Sequence, residues 1–436
     1  MAEFIRSPNA GYLLDVSQGE KQPQPLEQRD RVRLRDLARK VAEIASHPKQ
    51  TKKRDLWYRH NRLEKVRPML HLWLEDSWEE IIDESPLQVE SGFWRQWEWY
   101  LLHLIYRDAK LADDFVVEPT IYITKLIRRG DWGLSPRSIE PTGLKPGQKG
   151  ASRWDPPLVN PDDIQKLRHP TIEVDDGATD RIVDAIGEAF EGILGVSVEC
   201  PLPLVDFVGL ACALRGIEQF MLDVYERPEW LHDLIGIIAE GTIKEVNYLE
   251  DNGHLTLNNG PHYVDSGGIG YSNELPSPHY DGEHVRLKDL WGFGLAQEMS
   301  SVGSDQHEEF ILDYQLPILK RCGLTAYGCC EPFTHKFDMV KKIPNLRRVS
   351  VSPWCDIEVA AEALRDKYIY AWKPNPAMLV GRYDRDAIRS YIRRTLEVAR
   401  DCVLEIILKD TITLEQEPER IETWARIARE EIDRAC

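Results

Sequence analysis

The stretch TAYGCCEPF, residues 325 to 333, sets two adjacent cysteines and a glutamate between a short apolar run and a proline. Thiolate and carboxylate are donors that zinc accepts in a tetrahedral shell, and a catalytic zinc keeps one position open for water or substrate. A plain turn does not call for them, because thiols do not cap helices. Other chemistry-bearing residues recur in the same kind of place, at or just past the end of an apolar run. They are Glu75 and Asp76, Asp114, Glu118, Cys200, Gln297 and Glu298, Cys355 and Asp356, Lys373 and Asn375, and Lys409 and Asp410. For Glu75, Asp76 and Asp356, capping of the following helix is the preferred reading. Asp114 suits a general base, with the neighbouring Asp113 or a capping role as alternatives. Glu298 is a further acid of the same set. Lys373 and Asn375 suit a substrate contact. Lys373 and Lys409 either fix an anionic group on a substrate or pair with Asp410 and Glu331 as a structural network.

The elements that would position these residues follow from the order of apolar runs. Residues 31 to 45, RVRLRDLARKVAEIA, space Leu34, Leu37, Val41 and Ile44 as one helical face, and a basic, proline-containing stretch follows. Eight short apolar runs then alternate with helical segments, at 68–74, 114–119, 193–201, 290–298, 324–332, 346–353, 368–376 and 403–410. That alternation predicts an α/β fold, a closed parallel (β/α)8 TIM barrel over residues 61–436 behind a helical N-terminal extension over 1–60. In such a barrel the strand exits converge on one face, where active sites are built. Two Gly/Pro-rich connections, 129–161 and 253–289, read as long lid loops over that face. The second carries His254, His262, His279 and His284 without metal-ligand spacing, so His262 is weighed as a substrate contact before a ligand. Trp73, within a predicted strand, could reach an aromatic substrate.

Composition removes several classes. A net charge of −18 argues against nucleic acid, which needs clustered basic surface. No run approaches the length of a membrane span, and the first residues lack the order of a signal peptide, so a soluble cytoplasmic protein is expected. Eight scattered cysteines in 436 residues do not make a disulfide framework.

Over roughly residues 60 to 432 the chain resembles the uroporphyrinogen decarboxylase-like superfamily. LADDFVVEP is similar to the family's Asp-bearing second strand, with Asp114 on the matching position. GVSVECPLPLVDFVGLACALRGIEQF resembles the third strand and the helical segment after it, and GFGLAQEMSSVGSDQHEEF the fourth strand. AYGCCEP falls where the cobamide-dependent methyltransferase branch carries a His-x-Cys-Gly zinc motif, placing Tyr327 on the histidine, Cys329 on the cysteine and Cys330 on the glycine. Asp410 stands roughly where that branch has a further zinc cysteine. The decarboxylase branch opens with an arginine-rich strand that grips propionates. Here that strand reads MLHLWLEDSW, and its carboxylates would repel a tetrapyrrole acid.

The resemblance therefore implies a corrinoid-dependent methyltransferase that demethylates a small methylated compound, such as a methoxylated aromatic, and hands the methyl to a separate corrinoid (cobalamin) protein. It implies about one zinc per chain, drawn from Cys329, Cys330, Glu331 and Asp410, with Glu298 in reserve. The metal would act as a Lewis acid on the methyl donor. Asp114, Glu298 and Lys409 are the expected catalytic residues, and Trp73, His262, Tyr327, Lys373 and Asn375 the expected substrate contacts. Strand alternation puts Cys329 on the side of Tyr327 and Glu331 and turns Cys330 away. The alternatives are a metal-independent decarboxylase or lyase acting on a small acid, and a non-catalytic binding subunit of a methyl-transfer complex. The oligomeric state is not legible.

Overall fold

The computed structural model describes residues 13–14, 22–82, 85–139, 153–200 and 202–436, so part of the predicted loop 129–161 and most of the first twenty residues lie outside the described residues. The chain is an α/β protein. Its main sheet holds six parallel strands, β2 (Met69–Leu72), β5 (Trp291–Gly294), β6 (Leu324–Tyr327), β7 (Leu346–Val351), β8 (Ile369–Trp372) and β9 (Val403–Leu408), in the order β2-β9-β8-β7-β6-β5. A second parallel sheet has the order β1-β3-β4, from Leu13–Leu14 (β1), Thr120–Thr124 (β3) and Gly195–Glu199 (β4).

Among the described residues the two sheets do not close into one ladder. On one side the join is the Asp114 N–H donating to the Leu70 carbonyl at 2.7 Å. On the other it is a single bridge between Val205 and Gly294, with the Asn258 side-chain amide clamping both backbone groups of Trp291 at 2.9 Å. The run predicted as the second strand, 114–119, is the cause of the first gap. Its backbone groups bond to side chains of the second helix instead of a neighbouring strand: Trp57 and Lys53 donate to the carbonyls of Asp114 and Phe115, and Gln50 accepts from the Val117 N–H. The strand proper starts after Pro119, which has no N–H to give a ladder.

The N-terminal segment forms two helices, α1 (Gln28–Ser46) and α2 (Pro48–Asn61). The proline of the basic stretch occupies the first turn of α2, where its missing N–H costs nothing. Leu34, Leu37, Ala38 and Val41 of α1 are buried in a core shared with Phe93, Trp97 and Leu101 of α3 (Gly92–Lys110) and with Ile121 and Ile123 of β3. The larger core lies between the six-stranded sheet and its outer helices. No described helix is long and apolar enough to cross a membrane.

The two faces of the main sheet have different neighbours. Tyr327, Tyr370 and Trp372 point at helices, through His307 and Gln315, the Ile357 carbonyl and the Tyr391 ring respectively. The alternate residues face the segment 261–272, which overturns the reading of 253–289 as a lid. An antiparallel bridge between Tyr263 and Ile269 makes it a hairpin, and Asn61 donates to the carbonyls of both Ile269 and Tyr271 at 2.8 Å. Trp291 Nε1 donates to the Gly270 carbonyl, and Tyr263 Oη lies 3.3 Å from His71 Nε2. At the tip a Cβ on Gly267 would press on Ile407 and Trp73, and one on Gly268 on Arg348. The loop is a plug packed onto the inner face of the sheet, and its glycines allow that approach.

Candidate active site at the strand exits

The exits of β6 and β9 bring the two cysteines to a lysine and an acid. The Cys329 and Cys330 sulfurs lie 3.5 Å apart, and Cys330 Sγ is 3.7 Å from Asp410 Oδ2. Lys409 Nζ is 2.6 Å from Asp410 Oδ1 and 3.5 Å from Cys330 Sγ, with the Trp73 ring 5.9 Å away. Glu75, at the exit of β2, accepts from the Thr411 N–H through Oε2 at 2.9 Å. These side chains come from β2, β6 and β9, whose exits lie at one end of the sheet because the six strands are parallel.

Local backbone explains why the thiols share a side. The strand ends at Tyr327, and Gly328 turns the chain at φ +93°, a conformation that L side chains rarely adopt. Alternation therefore stops before Cys329, and the expectation that Cys330 turns away from Cys329 does not hold. Glu331 is fully buried and folds back, accepting from the Ala296 and Cys329 N–H groups at 2.9 and 2.8 Å. It shapes the turn and has no carboxylate oxygen left facing the thiols.

The electrostatics of the group are uneven. The Cys330 S–H donating to Cys329 holds the Cys329 thiol below its ordinary value, against burial and with help from Lys409. Cys330 is pushed up by the same bond and by burial. Burial works against the Lys409 ammonium, but the two thiols and Asp410 outweigh it and raise its pKa. Burial lifts Glu75 to about 7, with Lys409 pulling the other way and Asp410 adding to the rise. A cysteine whose thiol is held below its ordinary value thus stands at the strand exits with a fixed ammonium and a carboxyl able to carry a proton near neutrality.

Lys373, at the exit of β8, is buried, and its Nζ donates to the Ser266 carbonyl at the plug tip at 3.0 Å. Its backbone N–H bonds the Val351 carbonyl, which sets it beside Ser352. Ser266, Ser350 and Ser352 are buried, and none of their hydroxyls has a hydrogen-bond partner. Trp73 and Lys373 thus both meet the plug tip on the inner face.

Other expected residues lie elsewhere. Asp114 is held by Arg67 at 2.7 and 2.8 Å and by Arg429 at 2.9 Å, and its Oδ2 accepts from the Leu70 N–H near the start of β2. Burial opposes its charge, yet the two guanidinium groups hold it at about 2. It is a structural anchor, and its proton is out of reach of chemistry near neutrality. Tyr327 donates to Gln315 Oε1 and meets His307 Nε2, both at 2.9 Å, on the helix side of the sheet, so it contacts no substrate at the inner face. Asn375 caps the following turn through the Ala377 N–H. His262 is buried against Glu199 at 2.9 Å, at the edge of the smaller sheet. Glu298 belongs to a separate acidic group: burial, with Glu298 and Glu331 nearby, lifts Asp206 to about 6. Asp356 caps the helix Ile357–Leu364, as its position after a strand implies.

Three members of the inner face were not given a role in the chemistry from the sequence. Glu75 was noted at a strand exit, with capping as the preferred reading. Arg348 and Glu405, paired at 2.8 Å in full burial, were passed over inside apolar runs. The signal was present as a polar residue at every second position of RRVSVS, where a half-buried strand puts one face against something polar.

A zinc site drawn from this set does not fit the placement. Among the described residues no group of three or more His, Cys, Asp or Glu side chains is placed to hold a metal ion. The Glu331 oxygens are committed to backbone N–H groups, and the Lys409 ammonium stands among the thiols and Asp410 where a cation would go.

No family model matches the chain, and no curated protein does. Among solved structures, a methyltransferase from Methanosarcina mazei is similar over 86% of this chain and 97% of that one, at 11% identity and a TM-score of 0.45. A likeness at that level does not establish a shared activity.

Proposed function

We propose that the chain is a methyltransferase built on a distorted (β/α)8 barrel of the uroporphyrinogen decarboxylase-like kind. It takes a methyl group from a small methylated compound, a methoxylated aromatic being the case that best suits the site, and passes it to an acceptor on a separate corrinoid protein. The observation that supports this most is the meeting of Cys329, Cys330, Lys409, Asp410 and Glu75 at the exits of β6, β9 and β2 of a parallel sheet, beside the Trp73 ring. For a methyl ether the demand is on the leaving oxygen. The carbon–oxygen bond breaks with its electron pair on that oxygen, which takes a proton from protonated Glu75 while the Lys409 ammonium stabilises the developing charge. Trp73 offers the aromatic ring a face, and Lys373 suits a carboxylate on it. Zinc has no part in this account, because the Lys409 ammonium stands among its candidate donors.

The test is a panel of methoxylated aromatics, methylamines and methyl thioethers incubated with the purified chain and reduced cobalamin. Demethylated product and methylcobalamin are followed together. No demethylated product from any member removes the reading. A decarboxylase or lyase acting on a small acid is favoured by one observation, the two buried ammonium groups of Lys373 and Lys409 at one opening. Carbon dioxide released from an aromatic acid without any methyl acceptor would decide for it.

A further inference from the structure

The donor set at the exits of β6 and β9 is that of a soft-metal site, yet its centre is taken. Lys409 Nζ lies within hydrogen-bond distance of Asp410 Oδ1, at 2.6 Å, and of Cys330 Sγ, at 3.5 Å. Cys330 Sγ in turn touches Cys329 Sγ at 3.5 Å and Asp410 Oδ2 at 3.7 Å, so one sulfur and the carboxylate meet the ammonium and the second sulfur stands behind the first. The lysine is held there. Its side chain is 4% exposed, and the Trp73 ring lies to one side of its ammonium. An ammonium and a divalent cation cannot share that point, since at about 4 Å two such charges repel strongly in a partly buried site.

We propose that Lys409 is the resident cation of this site, standing where a metal would stand, so that the chain works without metal and its thiol pair is neutralised by an internal ammonium. The inference rests on reading the cluster as the reaction site, and it assigns the charge-stabilising part of the reaction to a side chain. It also gives the two adjacent cysteines a defined relation: Cys330 meets the cation and Cys329 meets Cys330, and removal of that cation leaves Cys330 and Asp410, with Cys329 beside them, free to turn toward a metal.

The experiment measures binding of zinc and of cadmium ions alone to the full chain. Wild type is compared with Lys409→Met and, in case that variant folds poorly, Lys409→Gln, each checked for its melting transition. Wild type is expected to take up no stoichiometric zinc and to show no thiolate-to-cadmium charge-transfer absorption. Lys409→Met is expected to bind about one equivalent of cadmium with that absorption, as a thiolate site does. Adding Cys330→Ser abolishes the band, and adding Cys402→Ser, a buried thiol just before β9 begins and so at the other end of that strand, leaves it. One tightly bound zinc in wild type overturns the proposal. So does a folded Lys409→Met and Lys409→Gln pair that binds neither ion, because the donors would then not be poised around a cation. The methyl-transfer assay fails or succeeds separately: metal results as expected with no demethylation sink only the function, and zinc in an active wild type sinks only this inference.

Discussion

Two groups of charges sit on the same face of the same sheet, and they are built on opposite terms. In the lower one, Arg348 of β7 pairs with Glu405 of β9 at 2.8 Å, Glu405 meets His60 at 3.2 Å, and Asp265 of the plug lies 3.8 Å from Arg348. All four are buried, and burial keeps His60 neutral-leaning by lowering its pKa. The upper group, at the exits, holds two thiols, a carboxyl shifted toward neutrality and a salt bridge whose Asp410 side is 48% exposed. The same residue types make a sealed brace in one place and a set of movable protons in the other. Burial and partner number decide which, since a buried charge with matched partners is fixed, while a half-open one can trade its partner for a substrate.

The sharpest way to break that comparison is at Glu405. Glu405→Ala leaves the Arg348 guanidinium buried without its partner and should cost about 3–5 kcal/mol of stability in urea unfolding. A loss under about 1 kcal/mol, the range of a surface pair, would show that the lower group is no brace. Glu75→Gln probes the upper group. It should keep the fold and lower the demethylation rate by about 10²–10⁴, the usual contribution of a positioned proton donor. An unchanged rate would remove Glu75 from the reaction.

Two carboxylates carry the contrast into pH. Asp114 is depressed from 3.8 to about 2, so its stabilisation is present above its unfolded pKa and is lost as pH falls through its folded value. The shift corresponds to ~2 kcal/mol. Glu75 is raised from 4.5 to about 7, so its contribution is fully present below the unfolded value and is lost as pH rises through the folded one. Asp114→Asn should therefore be less stable than wild type near neutrality, with the gap closing between about pH 4 and 2. Glu75→Gln should gain on wild type between about pH 4.5 and 7. Unfolding curves at several pH values check both, and gaps of the same sign at Glu75 and Asp114 would contradict the assigned environments.

What the sequence made legible was set by local physics. Seven of the eight predicted runs each contain one strand of the two sheets, because Val, Ile and aromatic runs bounded by turn residues carry that signal by themselves. The eighth failed because 114–118 bonds to Gln50, Lys53 and Trp57, a tertiary choice that no window of sequence shows. The plug failed for a similar reason: VDSGGIGY reads as a loop, and Val264, Ile269 and Tyr271, all buried, are the residues that mark it as part of the core. At the site, the exits were legible and the side-chain directions were not. Alternation was extended past the glycine that ends it, through Cys329, Cys330 and Glu331, and Asp114 was preferred to Glu75 although two distant arginines, Arg67 and Arg429, settle the matter the other way.

The smallest effect tests the direction of one side chain. If Tyr327 faces the helices, its hydroxyl serves only the bonds to His307 and Gln315, each at 2.9 Å. Burial keeps His307 down at about 3, so at neutral pH it is an uncharged ring and the tyrosine meets a neutral partner. Tyr327→Phe removes one hydroxyl and strands a buried amide oxygen, which costs ~1–3 kcal/mol, while the inner face, Trp73 and both thiols stay as they are. The variant should melt lower and keep wild-type kcat and KM at temperatures where it is folded. A raised KM with an unchanged melting temperature would put the hydroxyl on the substrate after all, and the two faces of the sheet would have to be exchanged at β6.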